Sequence, residues 1–112
     1  MRIAIPVVED ELASHFGHCE EFRFFDVDED ADTIEDAAAQ SPPPHRPGVL
    51  PKWLSENDTD VVIAGGMGRR AQQLFSEAGI DVVVGATESE PRSLVQGYLE
   101  DALATGENPC SH

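Results

Sequence analysis

All four histidines and both cysteines of this 112-residue chain fall in three short stretches rich in loop residues. They are His15, His18 and Cys19 in SHFGHCEEF, His45 in SPPPHRPG, and Cys110 and His112 in the final ENPCSH. Imidazole and thiolate are the usual protein donors for zinc, iron and copper. Histidines and cysteines kept only for packing would be spread through strands and helices, so their confinement to loops points to a shared metal or metallocluster site. Gly17 permits a sharp turn that would bring His15, His18 and Cys19 toward one point. Cys110 and His112 end a polar segment that could close over the same cargo as a short arm. His45, between prolines, reads as a solvent-exposed side chain and the weakest of the six.

A second candidate lies at Gly65-Gly66-Met67-Gly68, between a strand and a helix start. Backbone amides at a helix N-terminus, with the helix dipole behind them, favour an anion. Arg69 and Arg70 follow directly and would add positive charge, and Met67 is placed to touch a bound cluster. The stretch fits neither GxGxxG nor a phosphate loop with its lysine, so a nucleotide is not indicated. A tight turn built for packing is the competing reading. Cys19 with a neighbouring histidine could also act as a thiol nucleophile, but no oxyanion donor or orienting third residue can be named.

The elements that must position these residues follow from hydrophobic period and breakers. Residues 2–8 form an apolar first strand, where Pro6 predicts a bulge or a gap in the ladder, and 9–19 is a loop. Residues 20–27 form a second strand with Phe22 and Phe24 on one face and Phe25 and Val27 on the other. After a polar turn, 33–40 is a weaker third strand, its alanines fitting a helix equally well. The proline-rich 41–48 connects to a helix over 49–57. A strand at 60–64, a helix at 69–78 and a strand at 80–84 follow. The last helix starts near Glu90, with Ser89 as its expected N-cap and Pro91 in its first turn. Leu94, Val95, Tyr98, Leu99, Ala102 and Leu103 line its apolar face.

The second half is thus a β-α-β-α unit with parallel strands and a right-handed crossover, and the first half is a meander. Together they predict one α/β domain over 1–106, a three-layer α/β/α arrangement around a mixed five-stranded sheet. Residues 107–112 are read as a flexible tail.

Seven basic against 22 acidic side chains give a net charge of −15. Such a surface repels nucleic acid, and no basic patch offsets it. The acids are dispersed and Lys52 is the only lysine, a pattern expected of a halophilic protein. No apolar run reaches the length of a membrane span and the N-terminus lacks a signal-peptide pattern. The expected location is the cytoplasm, where thiols stay reduced and suit metal ligation better than a disulfide.

The opening RIAIPV, the loop SHFGHCEEF, the strand-turn DVVIAGGMGRRA, the element EAGIDVVVGA and the helix segment YLEDAL occur in an order that resembles the dinitrogenase iron-molybdenum cofactor biosynthesis domain family. The resemblance spans about residues 1–105. It implies a ribonuclease H-like fold motif, three antiparallel strands followed by two parallel ones. It also implies binding of an iron-sulfur or iron-molybdenum-type cluster, exchanged with a donor or acceptor protein. The alternatives are a thiol-based enzyme or redox protein and an interaction domain stabilised by zinc.

Overall fold

Alternation along the first strand sends Ile3, Ile5 and Val7 to one face and Ala4 to the other, and the strand over 21–28 repeats the pattern with Phe25 and Val27 against Phe22 and Phe24. A sheet with two apolar faces needs cover on both. The computed structural model describes residues 1–14, 16, 19–28, 30, 33–43, 48–87 and 89–100. Its elements are β1 (Arg2–Val8), β2 (Glu11–Leu12), β3 (Glu21–Asp28), β4 (Thr33–Gln40), α1 (Val49–Glu56), β5 (Val61–Ile63), α2 (Arg69–Glu77), β6 (Asp81–Val83) and α3 (Pro91–Leu99).

The sheet runs β4-β3-β1-β5-β6. Neighbours are antiparallel from β4 to β1 and parallel from β1 to β6. This is the expected order of three antiparallel strands followed by two parallel ones. Leu50 and Leu54 of α1 and Phe75 of α2 pack with Phe22, Phe24 and Val62 on one face. Leu94 and Val95 of α3 pack with Ile3, Ile5, Phe25 and Ile63 on the other. The protein is a three-layer α/β/α domain. Burying a large apolar side chain contributes about 1.5–3 kcal/mol, so these two clusters supply most of what holds the layers together.

Three local expectations are corrected. The segment 9–19 is not wholly loop: β2 pairs with the end of β1, Val7 opposite Leu12 and Val8 opposite Glu11, making a sixth strand. The turn between them puts Glu9 and Asp10 at φ 52° and 66°, the left-handed pair of a tight hairpin. Pro6 causes no bulge, because its register with Phe22 of β3 is unbroken. A strand residue's N and C=O point to the same side, and the Pro6 carbonyl accepts from the Ala13 amide on the side away from β3 (2.9 Å). There β5 pairs only with Ile3 and Ala4, so the missing N–H falls where the parallel ladder has already ended. The register shift lies instead in β4, where Phe24 faces Ala38 and Phe25 faces Asp36.

The third correction concerns the start of α3. Its N-cap is Glu90, not Ser89: the Glu90 carboxylate accepts from the Ser93 amide (2.9 Å), the Ser93 hydroxyl (2.6 Å) and the Arg92 amide (3.3 Å). The hydroxyl bond, followed by the two amides, holds its carboxyl below the ordinary glutamate range. A depressed carboxyl pKa stabilises the fold above the unfolded value of about 4 and loses that contribution as pH falls through the folded value. Asp26 acts with the same sign, because the Arg2 guanidinium binds it at 2.9 Å and lowers its pKa. Glu90→Ala should therefore cost about 1 kcal/mol near neutral pH, as lost caps do. Its urea midpoint should approach that of the parent below about pH 4, and a gap that persists unchanged into acid would contradict the capping role.

Candidate functional site

The chain leaves the C-terminal end of β1 toward β3 and leaves that of the adjacent parallel β5 toward β6. In open α/β sheets ligands usually sit outside the C-terminal ends of neighbouring strands whose connections lead to opposite sides. Both sequence motifs arrive there. The Phe16 amide donates to the Gly66 carbonyl (2.7 Å) and the Gly66 amide donates to the Ser14 carbonyl (2.8 Å). The loop after β1 is thus stitched to the turn after β5 by a reciprocal pair of backbone bonds. The exit from β6 joins them: the Gly85 amide donates to the Gly65 carbonyl (2.6 Å), and the Leu12 amide donates to the Ser89 carbonyl (2.8 Å).

Gly65 is required by this close approach. A Cβ at that position would stand 3.0 Å from the Ala13 carbonyl oxygen and 3.3 Å from that of Ser14. Both neighbours are backbone and cannot rotate away. Phe16 anchors the loop from below. It is buried and meets Phe22 and Phe75 edge to face, with ring centroids 5.8 and 5.3 Å apart.

Cys19 is half-buried, is a free thiol and packs against the same cluster. Burial pushes its pKa up to about 11, with a backbone hydrogen bond acting in the opposite direction. The thiol is protonated at neutral pH unless a metal replaces the proton, which is how thiolate sites normally load. His15, His18, Cys110 and His112 lie outside the described residues, as does His45. Among the described residues no three His, Cys, Asp or Glu side chains converge as a metal would require. The described part of the donor set, one partly shielded thiol, suits a thiophilic metal and offers nothing particular to a hard cation.

The glycine turn divides its tasks. The Gly66 amide is already engaged by Ser14. Met67 has its side chain in the core, 1% exposed, and packs with Phe16 and Phe75. Gly68 is the N-cap of α2, with no side chain capping the first turn and no acid within it. Arg69 and Arg70 are exposed there, and among the described residues neither pairs with a carboxylate. A chain with 22 acidic side chains has placed two arginines, and no acid, where the helix dipole is already positive. That arrangement costs about 0.3–1 kcal/mol per charge at the wrong helix end, and an anion bound beside it would offset this.

Sequence reasoning found the two motifs but missed Phe16, Ser14 and Ser89 as parts of the site. Phe16 was detectable as an aromatic flanked by polar donors in a loop, where only a buried anchor accounts for it. The backbone contacts of Ser14 and Ser89 leave no trace in residue type.

The sequence matches the family described as dinitrogenase iron-molybdenum cofactor over residues 1–101. It is 30% identical over 108 residues to the uncharacterised protein MJ0580 of Methanocaldococcus jannaschii, covering 89% of this chain and 90% of that protein. The crystal structure of PH0822 superposes with a TM-score of 0.79 at 29% identity, over 94% of each chain. The apo form of the orange protein from Desulfovibrio gigas superposes with a TM-score of 0.71 over 96% of this chain and 94% of that one, and its 23% identity speaks for the fold alone. No helix among the described residues is long and apolar enough to cross a membrane. With 101 of its residues matching and a strand order that meets the family's expectation, this chain belongs to the dinitrogenase iron-molybdenum cofactor family.

Proposed function

We propose that the protein binds an anionic metallocluster of iron-sulfur or iron-molybdenum type at the C-terminal ends of β1 and β5 and transfers it between a donor and an acceptor protein in the cytoplasm. The observation that supports this most directly is the stitching of the Cys19 loop to the glycine turn at the C-terminal ends of two parallel strands. Cys19 would supply a first thiolate, and His15 and His18 from the same loop, with Cys110 and His112 from the tail, would complete the donor set. Gly65 and Gly66 shape the turn, and the unopposed Arg69 and Arg70 at the start of α2 meet the negative charge of the cargo.

The thiol-enzyme reading is weaker on a specific ground. A nucleophilic cysteine works as a thiolate and is normally tuned downward, whereas Cys19 is tuned upward to about 11. Zinc held structurally is the remaining alternative, and metal content separates it from a cluster.

Protein isolated without oxygen should absorb in the visible and contain iron, with sulfide or molybdenum. Cys19→Ser should remove most of that absorbance and leave the far-UV circular dichroism unchanged. Arg69→Gln combined with Arg70→Gln should leave the far-UV circular dichroism unchanged while cluster retention falls. Colourless protein with stoichiometric zinc, or full cluster occupancy in Cys19→Ser, would remove this reading.

A further inference from the structure

We infer that Phe16 is a positioning residue: seated in the core and held beneath the Gly65-Gly66 turn, it sets the conformation of the Cys19 loop before any cargo arrives. The inference rests on the proposed function only in taking Cys19 as a donor. The loop could have been a segment ordered by its metal, as in small zinc domains that are unfolded when empty. The bonds among the described residues are of the opposite kind, made by the protein's own groups. Between Leu12 and Glu20 the backbone is tied at Leu12 to Ser89, at Ala13 to Pro6, at Ser14 and Phe16 to Gly66, and at Glu20 to Val7.

Among these ties only Phe16 adds a buried aromatic side chain. Its ring is 5% exposed and makes edge-to-face contacts with Phe22 of β3 and Phe75 of α2, joining the loop to both the sheet and the helix layer. Three residues further on, Cys19 packs against the cluster that contains Phe16. The sequence places His15 immediately before this anchor and His18 two residues after it. An anchor of this kind at Phe16 would leave less ordering for a cargo to supply, so less of the binding free energy would be lost to it. The turn above bears on the anchor: a Cβ at Gly65 would stand 3.0 Å from the Ala13 carbonyl oxygen, so the loop backbone next to Phe16 would have to shift by a few tenths of an ångström.

The test reads the loop through Cys19 in metal-free, full-length protein. Iodoacetamide labelling is followed at Cys19 by peptide mass mapping, which separates it from Cys110. If Phe16 positions the loop, Phe16→Ala frees Cys19 from its partly buried place against the core and raises its access to reagent. Labelling should then accelerate about tenfold or more, as expected when a closed segment opens locally. Gly65→Ala, which removes nothing from the core, should give the same acceleration. Phe16→Leu, which keeps an apolar anchor, should stay within about twofold of the parent. Circular dichroism confirms that each variant is folded. Cobalt(II) is then added as a probe, and its thiolate charge-transfer band should weaken in Phe16→Ala and Gly65→Ala and be retained in Phe16→Leu.

A parent-like Cys19 rate in both Phe16→Ala and Gly65→Ala would overturn the inference and leave Phe16 a core filler. So would a Phe16→Leu variant as reactive as Phe16→Ala. If the parent protein takes up neither cobalt nor cluster, the metallocluster reading fails while the labelling comparison still decides whether Phe16 positions the loop.

Discussion

Raising potassium chloride from about 0.1 M to about 2 M should shift the urea midpoint of this protein strongly upward. The chain has 22 acidic and 7 basic side chains. Some of the basic charge is committed: Arg2 binds Asp26 at 2.9 Å and Arg23 binds Asp36 at 2.7 Å. The remaining acids repel one another across the surface. Two like charges 10 Å apart cost about 0.4 kcal/mol in water, and a folded domain of this size holds many such pairs. The Debye length is about 10 Å at 0.1 M salt and about 3 Å at 1 M, so molar salt removes most of this cost. A gain on the order of several kcal/mol is expected, against a total stability of about 5–15 kcal/mol for ordinary domains. Urea is the proper denaturant because guanidinium is itself a salt. We propose on this basis that the acidic surface is a halophilic adaptation, and coincident midpoints at the two salt concentrations would dismiss it.

The largest effect of a single substitution is expected at Phe75. It is the only fully buried side chain of α2 and the only residue of that helix making an aromatic contact with Phe16. Phe→Ala changes in cores cost about 3–5 kcal/mol, through lost transfer free energy and the cavity left behind. At low salt Phe75→Ala should therefore leave a large part of the protein unfolded at room temperature. Molar potassium chloride should restore the fold, since the electrostatic and packing contributions arise from distant groups and add. In that restored state α2 and the Cys19 loop share a cavity, and labelling at Cys19 should be faster than in the parent. A Phe75→Ala protein with a parent-like urea midpoint would mean that the α2 layer contributes little to the fold.

Much of the fold was legible because it rests on patterns that tertiary contacts reinforce. The alternation of Phe22 and Phe24 against Phe25 and Val27 predicted which face of the sheet each side chain would enter, and the two apolar clusters divide in that way. The helices over 49–57 and 69–78 were read from their apolar stripes, and the structure places α1 and α2 within those bounds. The strand over 33–40, whose alanines suit a helix equally well, was decided by its pairing with β3 along its length. The short β2 was missed because its turn uses Glu9-Asp10 where the usual hairpin signal is Asn-Gly. The cap at Glu90 was displaced by one residue because Ser89 is the commoner capping type, and only the geometry shows which side chain reaches the free amides.

Residue identities and spacing establish the inventory of the candidate site: which residues have donor atoms, that they lie in loops, and that a glycine turn precedes a helix with two arginines. Residue type and spacing are sufficient for that, since chemistry belongs to side chains and periodicity reports which positions are buried. Only the tertiary structure decided that the two motifs, about fifty residues apart, lie against each other, because the bonds joining Ser14, Phe16 and Gly66 are made by backbone groups that every residue possesses. The same holds for Met67, which the sequence offered to the cargo and the fold turned into the core. In a tight βα turn the direction of each side chain is set by where the helix axis leaves the strand, and here Met67 joins the cluster that holds Phe16 and Phe75.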